Sequence, residues 1–527
     1  MRRFHSYGPV NSKYHFCIER KAIIETCSEQ LVGIQEEGGH YFTIWAPRQT
    51  GKTWLMHQVK KTIEKEYPDR FIIGMMSMQG VILQDKDSQN ELLSWMPKLM
   101  KNGFNLKINP PQTWQEWINY FDRSEKFFEK PVLLFIDEFD ALPSQIIDLW
   151  ITLFRDIYLN RSNYLLHGLA LIGVRAVLGV ESLRGSPFNI QRSLHVPNFT
   201  RAEVVDLYQQ YQTESGQKIE SQVVKTIFEV TCGQPGLVCW FGELLTETYN
   251  TDKTKAIDWD LWEEVYEAAL HVEWNNTILN LVKKVRTGYV EQVLALFASS
   301  EVQFSVDADW CAYLYLNGVI TSQTLLDISG KRRTICRFAS PFIQLRLYNA
   351  LTNDLIVTGF PILSLEPLDR LTDVFDAAEI NLPALLERYK AYLKRLKTKG
   401  LNPWKAQPRR SDLHLTEAVG HFHLYAWIRD AIGRQCVVSP EFPTGNGRVD
   451  LHIRCGHQKG IIEVKSFTNQ FEIQKSKEQA AHYAQQLGLN SVTLALFAPL
   501  EEDILDQLSS DERIEGMSVH TVAIGWN

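Results

Sequence analysis

The sequence predicts an α/β protein with two sheet-bearing domains separated by helical segments. From residue 42 the apolar runs FTIWA, FIIGMM, VLLFI and LALIGV alternate with amphipathic stretches long enough for helices. That is the pattern of a mostly parallel sheet covered on both faces. After a polar linker, a second alternation of strand-like and helical stretches occupies the last ~120 residues, a length typical of one domain. The full chain of 527 residues is longer than one core serves.

The first α/β domain spans 1–198. It ends where PNFTRAEVVDLYQQYQ offers Thr200 as the cap of an amphipathic helix. Residues 199–255 read as an all-helical lid, with TCGQPGLV as a loop between helices. In 256–355 helices give way to short strands. There LYLNGVITSQTLLDISGKRRTICRFASPFIQLRLYNAL reads as a helix end, a hairpin and a closing helix, as in a winged-helix module. A proline-punctuated stretch opens 356–410, followed by LPALLERYKAYLKRLK with apolar residues at 385, 386, 389, 393 and 396, a helical spacing. The linker TKGLNPWKAQPRRSD then leads into the second α/β domain, 411–527.

Composition narrows the classes. A hydrophobic content of 45% with 22% charged residues is that of a globular protein, and a net charge of −7 argues against a surface that coats nucleic acid throughout. Eight scattered cysteines without a C-x-x-C fit reduced thiols rather than a disulfide scaffold or a zinc knuckle. No apolar stretch is long enough to span a bilayer, and MRRFHSYGPV lacks the apolar region of a secretory signal. The expectation is a cytoplasmic protein with no membrane partner.

The stretch FTIWAPRQTGKTWLM sets a glycine-containing loop between a strand and a helix. Pro47, Arg48, Gln49, Thr50 and Gly51 form a path whose amides face phosphates at a helix start. Lys52 reaches the β and γ phosphates, and the Thr53 hydroxyl ligates magnesium. Ala46 stands where many such loops begin with glycine. The companion segment PVLLFIDEFDAL ends a strand on Asp137 and Glu138, at the edge where open α/β sheets bind ligands. Asp137 is expected to hold magnesium through water, and Glu138 to polarise the attacking water. Arg175, after LALIGV, reads equally as a γ-phosphate sensor and as a surface arginine. Arg155 reads as an arginine finger offered to a neighbouring subunit or as a packing residue.

Near the carboxyl terminus, RVDLHIRCGHQKGIIEVKSF reads as a hairpin. Alternation puts Glu463 and Lys465 on one strand face, and Asp450 on the preceding strand. Two close carboxylates need a cation or a proton between them. The expected solution is magnesium on Asp450, Glu463 and the carbonyl of Val464, with Lys465 orienting or deprotonating a water for attack on a phosphodiester. Glu417 on the preceding helix is a further candidate ligand. Gln479 and Tyr483 share a face of the following helix, where they would hold DNA or the lysine. His421 and His423 read as helix-surface or core histidines. From Arg388 to Arg410 nine Lys and Arg occur without an acid, with Tyr389, Tyr392 and Trp404 among them, which suits a phosphate backbone or a solvated linker. Lys331, Arg332 and Arg333 form a smaller patch.

With these segments in view, the first 250 or so residues resemble the bacterial AAA-like ATP-binding family related to archaeal-type and signal-transducing NTPases. The resemblance rests on YGPV, FTIWAPRQTGKT, LLFIDEFDAL, GVRAVL, GSPFNI, LHVPNFTRAEVVDLY and TCGQPGLV. It implies a P-loop NTPase sheet, a helical lid and a winged-helix-like module that reports nucleotide state. Residues 412–500 resemble the PD-(D/E)XK nuclease superfamily, a restriction-endonuclease-like α/β fold. On that resemblance Asp450 is the first metal acid, Glu463 and Lys465 the E-x-K, Glu417 the acid of the first helix, and Gln479 with Tyr483 the glutamine–tyrosine helix. Val449 stands where the nominal motif has proline.

The expected function is magnesium-dependent ATP hydrolysis coupled to metal-dependent cleavage of DNA, with manganese as a substitute at the second site. The alternative is an ATP-dependent switch that binds DNA or a protein partner through an inactive nuclease-like domain. Homo-oligomer formation is compatible with either.

Overall fold

The structure is a computed structural model and describes residues 1–34, 38–83, 88–173, 192–298, 302–326, 332–358, 374–375, 380–404, 417–433, 436–444, 447–456, 458–467 and 469–526. The chain divides into two compact units: Met1–Thr277 with Val306–Ile320, and Ile278–Ser305 with Thr321–Asn527. The division runs through the segment 256–355 that the sequence reading set apart as one module.

The first unit follows the alternation read from the sequence. Its elements are α1 (Lys21–Val32), β1 (Tyr41–Trp45), α2 (Lys52–Glu66), β2 (Ile72–Ser77), α3 (Ser88–Phe104), α4 (Trp114–Asn119), β3 (Val132–Asp137), α5 (Ser144–Leu159), β4 (Leu166–Gly173) and β5 (Arg192–His195). The strands lie in the order β2-β3-β4-β1-β5, every neighbouring pair parallel. Because side chains alternate along a strand, the sheet feeds two cores. Val132, Leu134, Ile136, Leu169 and Leu171 pack with Trp117, Trp150 and Phe154 on one face. Leu133, Phe135, Ala170, Ile172, Phe42 and Ile44 pack with Leu31, Leu55, Val59 and Ile63 on the other. The four-residue β5 carries too little apolar sequence to announce itself and was not foreseen.

Helices α6 (Arg201–Ser215), α7 (Ser221–Thr231), α8 (Pro235–Glu243) and α9 (Trp259–His271) follow. Thr200 caps α6 in a reciprocal pair with Glu203: its hydroxyl accepts from the Glu203 amide, and its own amide donates to the Glu203 carboxylate. TCGQPGLV is not a loop throughout. Gln234 caps α8 through the amide of Leu237, and Pro235 takes the first helical position, where its missing N–H costs nothing.

The chain continues through α10 (Asn276–Arg286), α11 (Val290–Ala298), α12 (Asp309–Leu316), the two-stranded sheet of β6 (Ile320–Leu326) and β7 (Arg332–Phe338), and α13 (Pro341–Thr358). Of these, α12 belongs to the first unit. Lys331 lies outside the described residues; Arg332 and Arg333 are exposed.

The second unit is completed by α14 (Leu382–Thr398), α15 (Glu417–Ile432), β8 (Val437–Thr444), β9 (Gly447–Cys455), β10 (Gln458–Ser466), α16 (Gln470–Gln486), β11 (Ser491–Ala498), α17 (Glu502–Leu508), β12 (Ser510–Ile514) and β13 (Met517–Gly525). Its sheet runs β12-β13-β11-β10-β9-β8. β8, β9 and β10 form an antiparallel meander, α16 then returns the chain so that β11 lies parallel to β10, and β13 lies parallel to β11. On α14 the inward residues are Leu385, Leu386, Tyr389, Tyr392 and Leu396, so Tyr392 rather than Leu393 faces the core. Cys436 and Cys455 are joined by a disulfide, correcting the expectation of free thiols throughout. The pair is hidden in sequence because its partners lie 19 residues apart and meet only through the register of β8 on β9.

Among the described residues no helix is long and apolar enough to cross a membrane.

Candidate functional sites

The parallel sheet places two polar segments at one edge. β1 ends at Trp45, and the chain passes through Ala46–Gly51 into α2; β3 ends at Asp137, with β4 between the two strands. The loop needs left-handed backbone at Gln49 (φ 59°) and Gly51 (φ 83°), and Gly51 leaves open space where a Cβ would stand. No side chain caps α2 and its first turn holds no acid, so its leading amides and dipole are available to an anion.

Lys52 is buried, and its ammonium donates to the carbonyls of Ala46 and Pro47, both at 2.8 Å. Burial pulls its pKa down to about 8 against the opposing pull of Glu138, Asp140 and Asp137. The hydroxyl of Thr53 lies 2.8 Å from Asp137 Oδ2, bridging 84 residues of sequence. Glu138 follows in left-handed backbone (φ 53°), an uncommon conformation for a residue with a side chain. Burial, then Asp137 and Asp140, raise its pKa. A buried cation satisfied by loop carbonyls, a hydroxyl paired with a carboxylate, and uncapped amides fit a nucleotide phosphate chain with magnesium. Lys52 would take the phosphates, and Thr53 with Asp137 would hold the ion.

Contacts from two distant segments were not legible beforehand. The segment 233–236, read as part of a loop between helices, packs on the phosphate loop: Gln234 Nε2 donates to the carbonyl of Arg48 at 3.2 Å, and the amide of Gly236 donates to the carbonyl of Gln49 at 3.0 Å. A Cβ on Gly236 would come within 2.5 Å of Gln49 Oε1, so the approach requires glycine. A Cβ on Gly318, after α12, would come within 2.9 Å of Pro47 Cβ, and Tyr315 packs its ring on Trp45 at 5.7 Å. Arg175 lies outside the described residues. Arg155 is half-buried on α5 and makes no hydrogen bond or ion pair among the described residues.

In the second unit Asp450, Glu463 and Lys465 converge. The β9–β10 ladder runs as far as Leu451 opposite Ile462. Just beyond, the Asp450 amide is 3.4 Å from Glu463 Oε1, and the Val464 amide donates to Asp450 Oδ2 at 2.6 Å. A carboxylate thus takes over from a backbone carbonyl where the pairing ends. Lys465 Nζ lies 3.0 Å from the Val464 carbonyl, 3.4 Å from Asp450 and 3.5 Å from Glu463. Glu463 is only 2% exposed. Burial opposes ionisation of Asp450, but Lys465, His421 and the Val464 amide together hold its carboxyl below the usual range.

The ammonium of Lys465 therefore sits among the two acids and the carbonyl that the sequence argument gave to magnesium. Repulsion between the carboxylates is answered by a residue of the chain itself, so the acids do not by themselves demand a metal. Among the described residues no group of three or more His, Cys, Asp or Glu side chains is placed to hold a metal ion. Glu417 opens α15, and its side chain lies outside the described ones. Gln479 and Tyr483 meet on α16, Nε2 to hydroxyl at 2.6 Å, on its exposed side. His421 and His423 are both core residues. His421 nevertheless reaches the site, its Nε2 lying 2.9 Å from the carbonyl of Asp450. Its four-residue spacing from Glu417 was the available signal. Of the basic run, Lys394 pairs with Glu502 and Lys390 with Glu387, while 405–410 lie outside the described residues.

Sequence comparison matches residues 5–296 to the AAA-like domain family and residues 416–497 to a domain of unknown function. No curated protein matches the chain. Among solved structures, the chain is similar to the Walker-type ATPase of Pyrococcus abyssi, with 15% identity and a TM-score of 0.44 over 65% of this chain and 99% of that one. It is similar to the Aeropyrum pernix Orc1 protein, solved in complex with DNA, with 12% identity and a TM-score of 0.32 over 64% and 93%. It is also similar to RuvB, the Holliday junction branch migration motor of Thermotoga maritima, with 16% identity and a TM-score of 0.34 over 58% and 90%.

Proposed function

This chain belongs to the AAA-like domain family, and from that premise we propose that it is an ATP-hydrolysing switch whose carboxyl-terminal domain engages DNA. The observation that carries the first half is the meeting of Thr53 with Asp137 at 2.8 Å beside the buried Lys52. Magnesium, when bound, draws negative charge off the phosphate oxygens. Lys52 exchanges its two carbonyl partners for phosphate oxygens. Glu138, whose raised pKa makes it the stronger base, accepts the proton of the water that attacks the terminal phosphorus. Gln234 and Gly236, hydrogen-bonded to the loop, carry loop movements into α8.

Replacing Glu138 with Gln should lower ATP turnover about 100-fold or more while ATP affinity stays near wild type. Replacing Lys52 with Ala should abolish measurable ATP binding in calorimetry. Unchanged phosphate release by Glu138→Gln would remove the assigned base.

Support for DNA comes from the resemblance of 412–500 to PD-(D/E)XK domains. A second reading, metal-dependent DNA cleavage, is favoured by the convergence of Asp450, Glu463 and Lys465. Incubation of plasmid DNA with magnesium or manganese separates the two. Nicking that disappears in Lys465→Ala supports cleavage; DNA retention without nicking supports the switch; neither retention nor nicking defeats both.

A further inference from the structure

The sheet of the first unit has a second charged edge. Because β1 to β4 run parallel, the segments that feed their starts gather at the end opposite Lys52 and Asp137. They bring Gly38 ahead of β1, Arg70 ahead of β2, Arg123 ahead of β3, and Arg161 with His167 around the start of β4. The contacts form a chain. Arg161 Nη1 lies 3.2 Å, and His167 Cε1 3.8 Å, from the point where a Cβ on Gly38 would stand. Phe71 packs its ring on His167 at 5.1 Å, and the Arg70 guanidinium lies 4.9 Å from the Phe71 ring centre. Arg161 stacks on Tyr158 at 4.5 Å. The amide of Arg123 donates to the carbonyl of Asn163, two residues past Arg161.

No carboxylate answers these charges among the described residues. Asp69 pairs with Lys130 at 3.7 Å, Asp122 bonds Ser124 at 2.7 Å, and Asp156 takes the amide of Asn160 at 3.0 Å. Arg161 Nη1 is buried without a hydrogen-bond partner among the described residues, a costly condition for a charged donor. His167 offers no negative charge, since its Nε2 is bonded to the carbonyl of Val32 at 2.8 Å. Burial, and the fields of Arg70, Arg161 and Arg123, hold its imidazole below the ordinary pKa against that bond.

We propose that this edge binds a phosphate oxyanion, at a site separate from the nucleotide loop. Arg161 is its inner ligand, and Arg70 and Arg123 supply the flanking charge. A guanidinium already stacked on an aromatic ring loses little freedom on binding and presents a planar fork that matches two phosphate oxygens. Gly38, with no Cβ of its own, lets the Arg161 guanidinium lie against the backbone ahead of β1, and its Nη1 is the donor left to be answered.

The test uses the full chain with Lys52→Ala, so that the nucleotide loop does not compete, and titrates it with inorganic phosphate by calorimetry. Adding Arg161→Gln should weaken binding by about ten-fold or more, whereas Arg161→Lys, which keeps the charge and loses the fork, should fall between and covers a folding failure of the first variant. A labelled oligothymidylate identifies the source of the phosphate. Competition with inorganic phosphate, and a salt slope reduced by about one in Arg161→Gln, assign the site to a nucleic-acid backbone. Response to inorganic phosphate alone assigns it to a free anion. Equal phosphate affinity with Arg, Lys and Gln at 161 overturns the proposal.

Discussion

The amide of Val464 lies 2.6 Å from Asp450 Oδ2, so a side-chain carboxylate ends the ladder that β9 and β10 share up to Leu451 and Ile462. The same carboxylate is one of three acceptors around Lys465. Asp450→Ala should leave a partly buried amide and ammonium short of a partner and cost about 2–4 kcal/mol in urea unfolding. Asp450→Asn, which keeps an acceptor oxygen, should cost less than half of that. Equal midpoints for Ala and wild type would mean that the carboxylate does not hold the fork together.

Acid should weaken the second unit well above the carboxylate range. Burial lowers His423 to about 3, and burial with Lys459 and Arg454 lowers His452 to about 4. The unfolded chain takes up these protons near 6.5 and the folded chain does not. The stabilisation is therefore complete above that pH and is lost as pH falls towards the folded values. At pH 5 the loss is about 2 kcal/mol per histidine. Asp450, with a lowered pKa, adds its own loss only below the ordinary aspartate range. Urea midpoints at pH 7.5 and 5.0 check the sign; a higher midpoint at pH 5.0 would contradict it.

Thr200→Ala should destabilise the first unit by about 1 kcal/mol, because it frees the amide of Glu203 at the start of α6. Thr200→Ser keeps the hydroxyl and should restore most of the loss. Denaturant unfolding of the three proteins reads this directly, and identical midpoints would show that water caps the helix equally well.

The nucleotide loop was legible because its chemistry is contiguous: Gly51, Lys52 and Thr53 need only a strand before them and a helix after. Asp137 and Glu138 were legible for the same reason, standing at the end of an unbroken apolar strand. The E-x-K pair followed from alternation along β10. What stayed hidden depends on register and on long-range approach. Gln234 reaches Arg48 across 186 residues. Cys455 meets Cys436 only through the pairing of β8 with β9, and His421 meets the Asp450 carbonyl through the packing of α15. Sequence placed Lys465 on the right face without revealing that its ammonium lies between Asp450 and Glu463.

By itself the sequence determined the alternation of β1 to β4 with helices, the phosphate loop, the Thr200 cap and the faces on which Asp450, Glu463 and Lys465 lie. These depend on backbone periodicity and on neighbours within a few residues. Tertiary structure decided which strand stands between β1 and β3, what answers the charge of the paired acids, and which arginines gather where β1 to β4 begin. Those outcomes depend on distances between segments far apart in the chain, and a charge can be weighed only once the groups facing it are in place.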